Sequence, residues 1–186
     1  GIWSAVAGQL GVATPIIEFS TALKDADLIR IVQEKPPDYQ KAVARRSTVS
    51  ERLSDALVAT ENEDVVAALV ANDGAEISET TMHRVVDRFG SSEVVGGPMV
   101  HRASLPLTVG ERLVALVSES LRDHLVTHHE LPPDLATDLL IQSRERATVG
   151  LVDSKTDIAD LKELVDQLYV NKRLTPTLVM RALCMG

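Results

Sequence analysis

Apolar residues recur every 28 residues over much of this chain. Val49, Ile77 and Leu105 stand at this spacing, and three further series share it. These series are Leu57, Val85 and Leu113; Val58, Val86 and Val114; and Ser50, Ser78 and Pro106. A period of about 20 to 50 residues indicates stacked supersecondary units rather than one closed globule. Because stacked units usually present a binding surface, the period favours an interaction protein over an enzyme.

The composition and the helix-start signals both favour helices. Aromatic residues make up 3% of the chain and hydrophobic residues 45%, so the core must consist mainly of Leu, Val, Ile and Ala. Val49-Ser50 and Ile77-Ser78 each place an apolar residue before an N-cap residue, and Asn62 is a further candidate cap. No segment alternates with period two for long enough to predict a strand. We therefore expect an all-α chain, a right-handed α-α superhelix of HEAT-like helical hairpins.

The repeats are expected to end before the C-terminal third. Residues 1–130 are predicted to hold four hairpins, and Thr14-Pro15 predicts that the first helix starts near Ile16, with Thr14 as its cap. Pro132-Pro133 interrupts the 28-residue period. Residues 131–186 are therefore expected to form a separate helical segment that packs on the repeats and caps them.

The charge balance bears on the class of partner. The chain has a formal net charge of −8, from 19 basic and 27 acidic residues. An acidic chain has no general electrostatic attraction to nucleic acid or anionic lipid, so both are disfavoured. No basic leader precedes Lys24, and no run of about 18 apolar residues exists. We therefore expect neither a signal peptide nor a membrane span. The single Cys184 excludes an internal disulfide and fits a reducing, cytoplasmic environment.

A set of short helical motifs is shared with a known bacterial family. The residues that carry the likeness are Ala44-Arg45-Arg46, Val49-Ser50, Leu53 to Val58, Val65 to Asn72, Ile77-Ser78, and His101-Arg102 to Leu105-Pro106. With them the chain resembles the family called domain of unknown function 2336. The stretch from Leu168 to Gly186 is similar to the later part of that family, so the resemblance covers residues 15–186. It implies an all-helical bacterial protein with no established activity and no catalytic residues.

Arginines occupy related places in successive repeats. The four candidates for a binding site are Arg46, Arg84, Arg102 and Arg112. Stacked repeats would bring such residues onto one ridge, and a row of guanidinium groups suits carboxylate or phosphate partners. The alternative is structural, because an Arg near a helix C-terminus satisfies the last carbonyls while its stem covers apolar surface. The sequence leaves both interpretations open.

His124 and His128 are the weak candidates for a metal site. They are four residues apart, so on a helix they share one face. Two imidazoles at this separation suit a divalent transition metal, but no third ligand has a diagnostic spacing. A polar helix C-terminus, where the helix dipole favours His, is the simpler interpretation. We expect no resident metal and no cofactor.

Together these observations predict a non-catalytic cytoplasmic adaptor or scaffold that binds a protein or peptide through its repeats. An enzyme is not expected, because no nucleophile and base can be paired from the sequence. A helical repeat that binds nucleic acid through the arginine ridge is the first alternative. A regulatory module with a metal on the two histidines is the second. A homodimer formed through an exposed apolar end of the stack also stays open.

Overall fold

The computed structural model describes residues 10–128, 132–152 and 156–185. Eleven helices and no strand lie within these ranges, which confirms the all-α expectation. The helices are α1 (Leu10–Phe19), α2 (Asp25–Glu34), α3 (Pro37–Ala44), α4 (Glu51–Val58), α5 (Glu63–Val70), α6 (Glu79–Phe89), α7 (Glu93–Val100), α8 (Leu107–His128), α9 (Pro133–Gly150), α10 (Ile158–Val170) and α11 (Pro176–Met185). Within the described ranges, no helix combines the length and the apolar content needed to cross a bilayer.

Three helices begin at the caps that the sequence predicts. Ser50, Asn62 and Ser78 are the N-cap residues of α4, α5 and α6. Each side-chain oxygen accepts a hydrogen bond from the backbone N–H three residues later, at 3.4, 3.2 and 3.3 Å. These bonds satisfy N–H groups that have no partner inside the helix, and such a cap contributes about 1 kcal/mol.

The start of the first helix differs from the prediction. Thr14 does not cap it, because α1 begins at Leu10 and holds Pro15 in its interior. Proline has no N–H, so the helix loses one backbone hydrogen bond at that point. Ala13 and Ile17, four residues apart on one face, are both buried. Burial of this face on both sides of the proline explains why the helix continues through it.

The contacts divide the chain into one unit that ends at Ser104 and another that begins at Leu105. In the first unit each helix from α1 to α5 packs against the helix two places further along the chain. One row, which we call the odd row, consists of α1, α3, α5 and α7; the even row consists of α2, α4 and α6. Across the rows α2 packs on α3, α4 on α5, and α6 on α7. The first unit is thus a two-layered succession of helices.

The 28-residue period marks the core of this unit. Val49 and Ile77 are both buried, and so are Leu57 and Val85. Val49 also joins the loop after α3 to the loop after α5, because its N–H donates to Gly74 O at 3.2 Å and its carbonyl accepts from Glu76 N–H at 2.8 Å. The periodic residues therefore lie where one pair of helices meets the next.

The second unit contains α8, α9, α10 and α11. Helix α8 packs on α9 and α10, and α9 packs on α11. Leu164, Leu168 and Leu178 are buried together between the last two helices. The boundary expected at residue 130 falls inside this unit, between α8 and α9. Helix α8, which the sequence assigns to the repeats, lies in this unit by its contacts with α9 and α10.

Candidate functional site

A groove opens on the odd row of the first unit. It has a volume of about 630 Å³ and extends from Glu18 on α1 to Val94 on α7. Its floor is formed by three alanines of α5 and its C-cap, Ala67, Ala68 and Ala71. We call this feature the alanine groove. The remaining lining residues are Lys41, Arg45, Asp64 and Asn72.

The sequence of α5 explains why the floor is open. Val65, Val66, Leu69 and Val70 are buried and hold the helix against the core. The alanines stand at positions 67, 68 and 71, which share the opposite face because residues three and four apart are neighbours on a helix. Since an alanine side chain ends at Cβ, this face leaves space between α3 and α7.

The groove carries charges of both signs, and its cations differ in their partners. Lys41 Nζ lies 3.2 Å from an oxygen of Asp38 and 3.9 Å from one of Asp64. Arg45 is exposed, and within the described part of the chain its guanidinium makes no ion pair or side-chain hydrogen bond. Arg45 is therefore the group in the groove that is available to an incoming carboxylate.

Arg46, the next residue, has a structural role. Its guanidinium donates to the carbonyl of Ile17 and, at 2.8 Å, to that of Ser20. Both carbonyls belong to the C-terminal end of α1, where backbone oxygens have no partner inside the helix. The side chain thus fastens the end of α3 to the end of α1, as the structural alternative for the predicted arginines expects.

Asn72 fastens the end of α5 to the end of α3 in the same way. Its Nδ2 donates to the carbonyls of Ala44 and Arg46, at 2.8 and 2.7 Å. Its Oδ1 accepts from Gly74 N–H at 2.9 Å, so the amide is used at both ends. A Cβ at position 74 would lie 2.1 Å from Ser47 O, so only glycine, which has no Cβ, avoids this close contact. The loop after α5 is therefore held tightly against the loop after α3.

Arg102 completes the series after α7. One guanidinium nitrogen donates to Val70 O at 3.1 Å and Asn72 O at 3.0 Å, and the other donates to Ala75 O at 2.8 Å. Burial lowers the pKa of Arg102 below its usual range, and Asp73 partly offsets that effect. We call Arg46, Asn72 and Arg102 the carbonyl clamps; each stands two residues beyond the last residue of its helix.

The other two predicted arginines belong elsewhere. Arg84 lies on α6 in the even row, 3.0 Å from Asp55 of α4, and also donates to Thr81 Oγ1 at 2.8 Å. Arg112 lies on α8 in the second unit. The structure thus gives Arg46 and Arg102 equivalent places but does not bring them together with Arg84.

The second unit contains a buried ion pair that sequence reasoning missed. Glu111 of α8 is fully buried, and its carboxylate lies 3.1 Å from the guanidinium of Arg173, just after α10. Gln167 donates to the same carboxylate at 3.2 Å and to Thr108 O at 3.0 Å. Burial lowers the pKa of Arg173, and Glu111 opposes that shift. The signal was a charged residue inside the apolar stripe of α8, where an unpaired charge is too costly to bury.

The structure describes the side chain of one of the two candidate metal-ligating histidines. His124 is an exposed residue of α8, and the side chain of His128 lies outside the described residues. Among the side chains that the structure does describe, no three His, Cys, Asp or Glu come together as a set of metal ligands. The metal hypothesis therefore gains no third ligand.

These features define a class of protein: all-helical, with a two-layered run of helices fastened by carbonyl clamps. The chain belongs to a bacterial family, domain of unknown function 2336, described as an uncharacterised protein conserved in bacteria, which matches residues 12–186. This confirms the family that the sequence motifs suggest. No curated protein and no solved structure matches the chain.

Proposed function

We propose that this chain is a non-catalytic, cytoplasmic bacterial adaptor that binds a protein or peptide in the alanine groove. We further propose that its first unit is a HEAT-like α-α superhelix, since helices of two rows follow one another at the 28-residue period. The observation that carries the binding proposal is the pairing of an open alanine floor with the guanidinium of Arg45, which has no ion-pair partner among the described residues.

The groove suits a helical segment of a partner. Ala67, Ala68 and Ala71 allow the backbone of such a segment to approach α5 closely, and Val94, which is 56% exposed, offers an apolar wall. Helix-in-groove recognition uses a few apolar anchors of this kind. Arg45 would then fix the register by binding an acidic residue of the partner, because its planar guanidinium matches a carboxylate.

A capture experiment with paired variants tests the proposal. Arg45→Glu reverses the charge at position 45 of the groove, and Ala71→Trp fills the floor. Arg52 of α4 is also exposed and also lacks an ion pair among the described residues, so Arg52→Glu is the matched charge control. Ala59 caps α4 as Ala71 caps α5, in the same right-handed conformation, so Ala59→Trp is the matched size control.

The tagged wild type and the four variants are used to capture proteins from the lysate of the native bacterium, and the captured proteins are quantified by mass spectrometry. We expect one set of proteins to be captured by the wild type and both controls and to be lost from both groove variants. Loss of a charge-assisted contact costs about 1.5 to 3 kcal/mol, or roughly 10- to 100-fold in affinity. Equal capture by Arg45→Glu and Arg52→Glu would contradict the proposal.

The nucleic-acid alternative has no specific observation in its favour. Arg46 and Arg102 donate to backbone carbonyls, and Arg84 faces Asp55. Guanidinium groups that already bind protein partners have fewer N–H groups left for phosphate. Steeply salt-dependent binding to DNA would revive this alternative.

A further inference from the structure

A second, more apolar groove lies within the second unit, between the end of α9, α10 and α11. Its volume is about 850 Å³. Among the described residues that line it, Thr148 alone has a polar side chain, and the others are aliphatic residues or glycine. Because Thr148 is the one polar side chain among these described lining residues, the groove is suited to apolar side chains of another protein surface.

The outer edge of this groove continues as an exposed apolar stripe. Ile158, Leu161, Val165 and Tyr169 stand at steps of three and four residues, so they share one face of α10. Their exposed fractions run from 38% at Leu161 to 82% at Ile158. On α11, Val179 and Leu183 are four residues apart and are also exposed. These six side chains form one feature, which we call the C-terminal patch.

The area of the C-terminal patch matches what a stable dimer needs. With about 150 to 200 Å² for each fully exposed large side chain, the six residues present roughly 500 to 700 Å² to solvent. A standard interface takes about 800 Å² from each partner, of which about 56 to 65% is apolar. The patch therefore supplies the apolar part of such an interface, and its area reaches or passes the upper end of the roughly 300 to 600 Å² that the largest exposed patch of a monomer usually covers.

The charges at the ends of α10 complement those of a second copy in an antiparallel arrangement. Asp157 caps the N-terminus of the helix, and Lys172 follows its C-terminus, three residues after Tyr169. A two-fold axis across the stripe brings each acidic end opposite a basic end, in agreement with the helix dipoles. A parallel arrangement would place like charges side by side.

We propose that the C-terminal patch is the interface of a homodimer, in which α10 pairs antiparallel with α10 of a second copy. Ile158 of one copy then faces Tyr169 of the other, and Leu183 fills the apolar groove across the axis. The interface does not depend on the alanine groove, so the two proposals stand or fall separately.

The mass of the purified chain in solution tests the dimer. Light scattering after size exclusion, over about 1 to 200 µM, covers the weak end of affinities for such interfaces. We expect twice the chain mass of 20.1 kDa. Val165→Glu, in the middle of the stripe, should give the single-chain mass. Val170→Glu, on another face of the same helix and 77% exposed, should leave the dimer intact.

Circular dichroism distinguishes a lost interface from a lost fold, since Val165→Glu should keep the helical signal of the wild type. A wild type that is monomeric over the whole range would overturn the proposal and assign the patch to a different partner. A Val165→Glu variant that stays dimeric would overturn it as well.

Cross-linking tests the direction of the helices in a Cys184→Ser background. Chains that carry Ile158→Cys are mixed with chains that carry Tyr169→Cys and are then oxidised mildly. The antiparallel arrangement predicts disulfides between the two kinds of chain, because those positions face each other. Disulfides that form mainly between two copies of Ile158→Cys would contradict it.

Discussion

The stability of the first unit should depend strongly on the clamp at Arg102. In Arg102→Leu the carbonyls of Val70, Asn72 and Ala75 lose their common donor, while the apolar stem is largely kept. Hydrogen bonds to a charged donor contribute about 1.5 to 3 kcal/mol, and water can reach part of this half-buried site. We therefore expect the free energy of unfolding to fall by about 2 to 4 kcal/mol.

Urea unfolding followed by circular dichroism measures this change. The slope of the unfolding free energy against urea concentration is compared between variants, because the two units need not unfold in one cooperative step. Arg84→Leu is the matched control, since it removes an exposed ion pair with Asp55 that is worth about 1 kcal/mol or less. Arg102→Lys should lower the free energy of unfolding by less than Arg102→Leu and by more than Arg84→Leu, because one ammonium group cannot reach three carbonyls. If Arg102→Leu lowers the free energy of unfolding no more than Arg84→Leu does, the hydrogen bonds of Arg102 do not stabilise the first unit.

Three further substitutions should alter stability in ways that the same unfolding assay detects. Gly74→Ala should lower the free energy of unfolding by about 1 to 3 kcal/mol, because its Cβ would press on Ser47 O; wild-type stability would contradict the close approach. Arg173→Met should cost about 3 to 5 kcal/mol by leaving Glu111 buried without a counter-ion, and a loss under about 1 kcal/mol would count against that pair. Asn62→Ala should cost about 1 kcal/mol through the lost cap, whereas Asn62→Ser should restore most of it.

The parts of the fold that the sequence predicts are those set by neighbouring residues. Asn62 and the serines before α4 and α6 cap helices because their own side chains reach N–H groups three residues away. Val49 and Ile77 lie in the core because the same local pattern recurs with the same packing. Pro15 shows the limit of local signals: burial of the surrounding face extends α1 through a residue that usually starts a helix.

The parts that the sequence does not predict depend on distant partners. Asn72 stands before Asp73-Gly74 and looks like an ordinary turn residue. Its side-chain amide nevertheless donates hydrogen bonds to carbonyls 26 and 28 residues earlier in the chain. Arg45 and Arg46 are adjacent and chemically identical, yet one faces the groove and the other is bound to α1. Only the packing of α3 against α1 and α5 decides which of them is available to a partner.

The alanine groove was missed for a similar reason. In the sequence, Ala67, Ala68 and Ala71 are good helix formers with no chemistry of their own. These alanines form a groove floor only because the larger side chains of α3 and α7 leave the space above them open. A stretch of alanines opposite an apolar stripe, within a chain of periodic helices, is the signal that would have indicated such a floor.

Photo-cross-linking inside the native bacterium shows whether a partner protein occupies the alanine groove. A photoreactive phenylalanine analogue is placed at Ala71 in the groove or at the matched position Ala59, and the products are identified by mass spectrometry. If a partner binds in the groove, we expect a discrete protein to be cross-linked from position 71, to be lost when Arg45→Glu is added, and to be absent from position 59. Equal products from both positions, or products from position 71 that persist with Arg45→Glu, would contradict it.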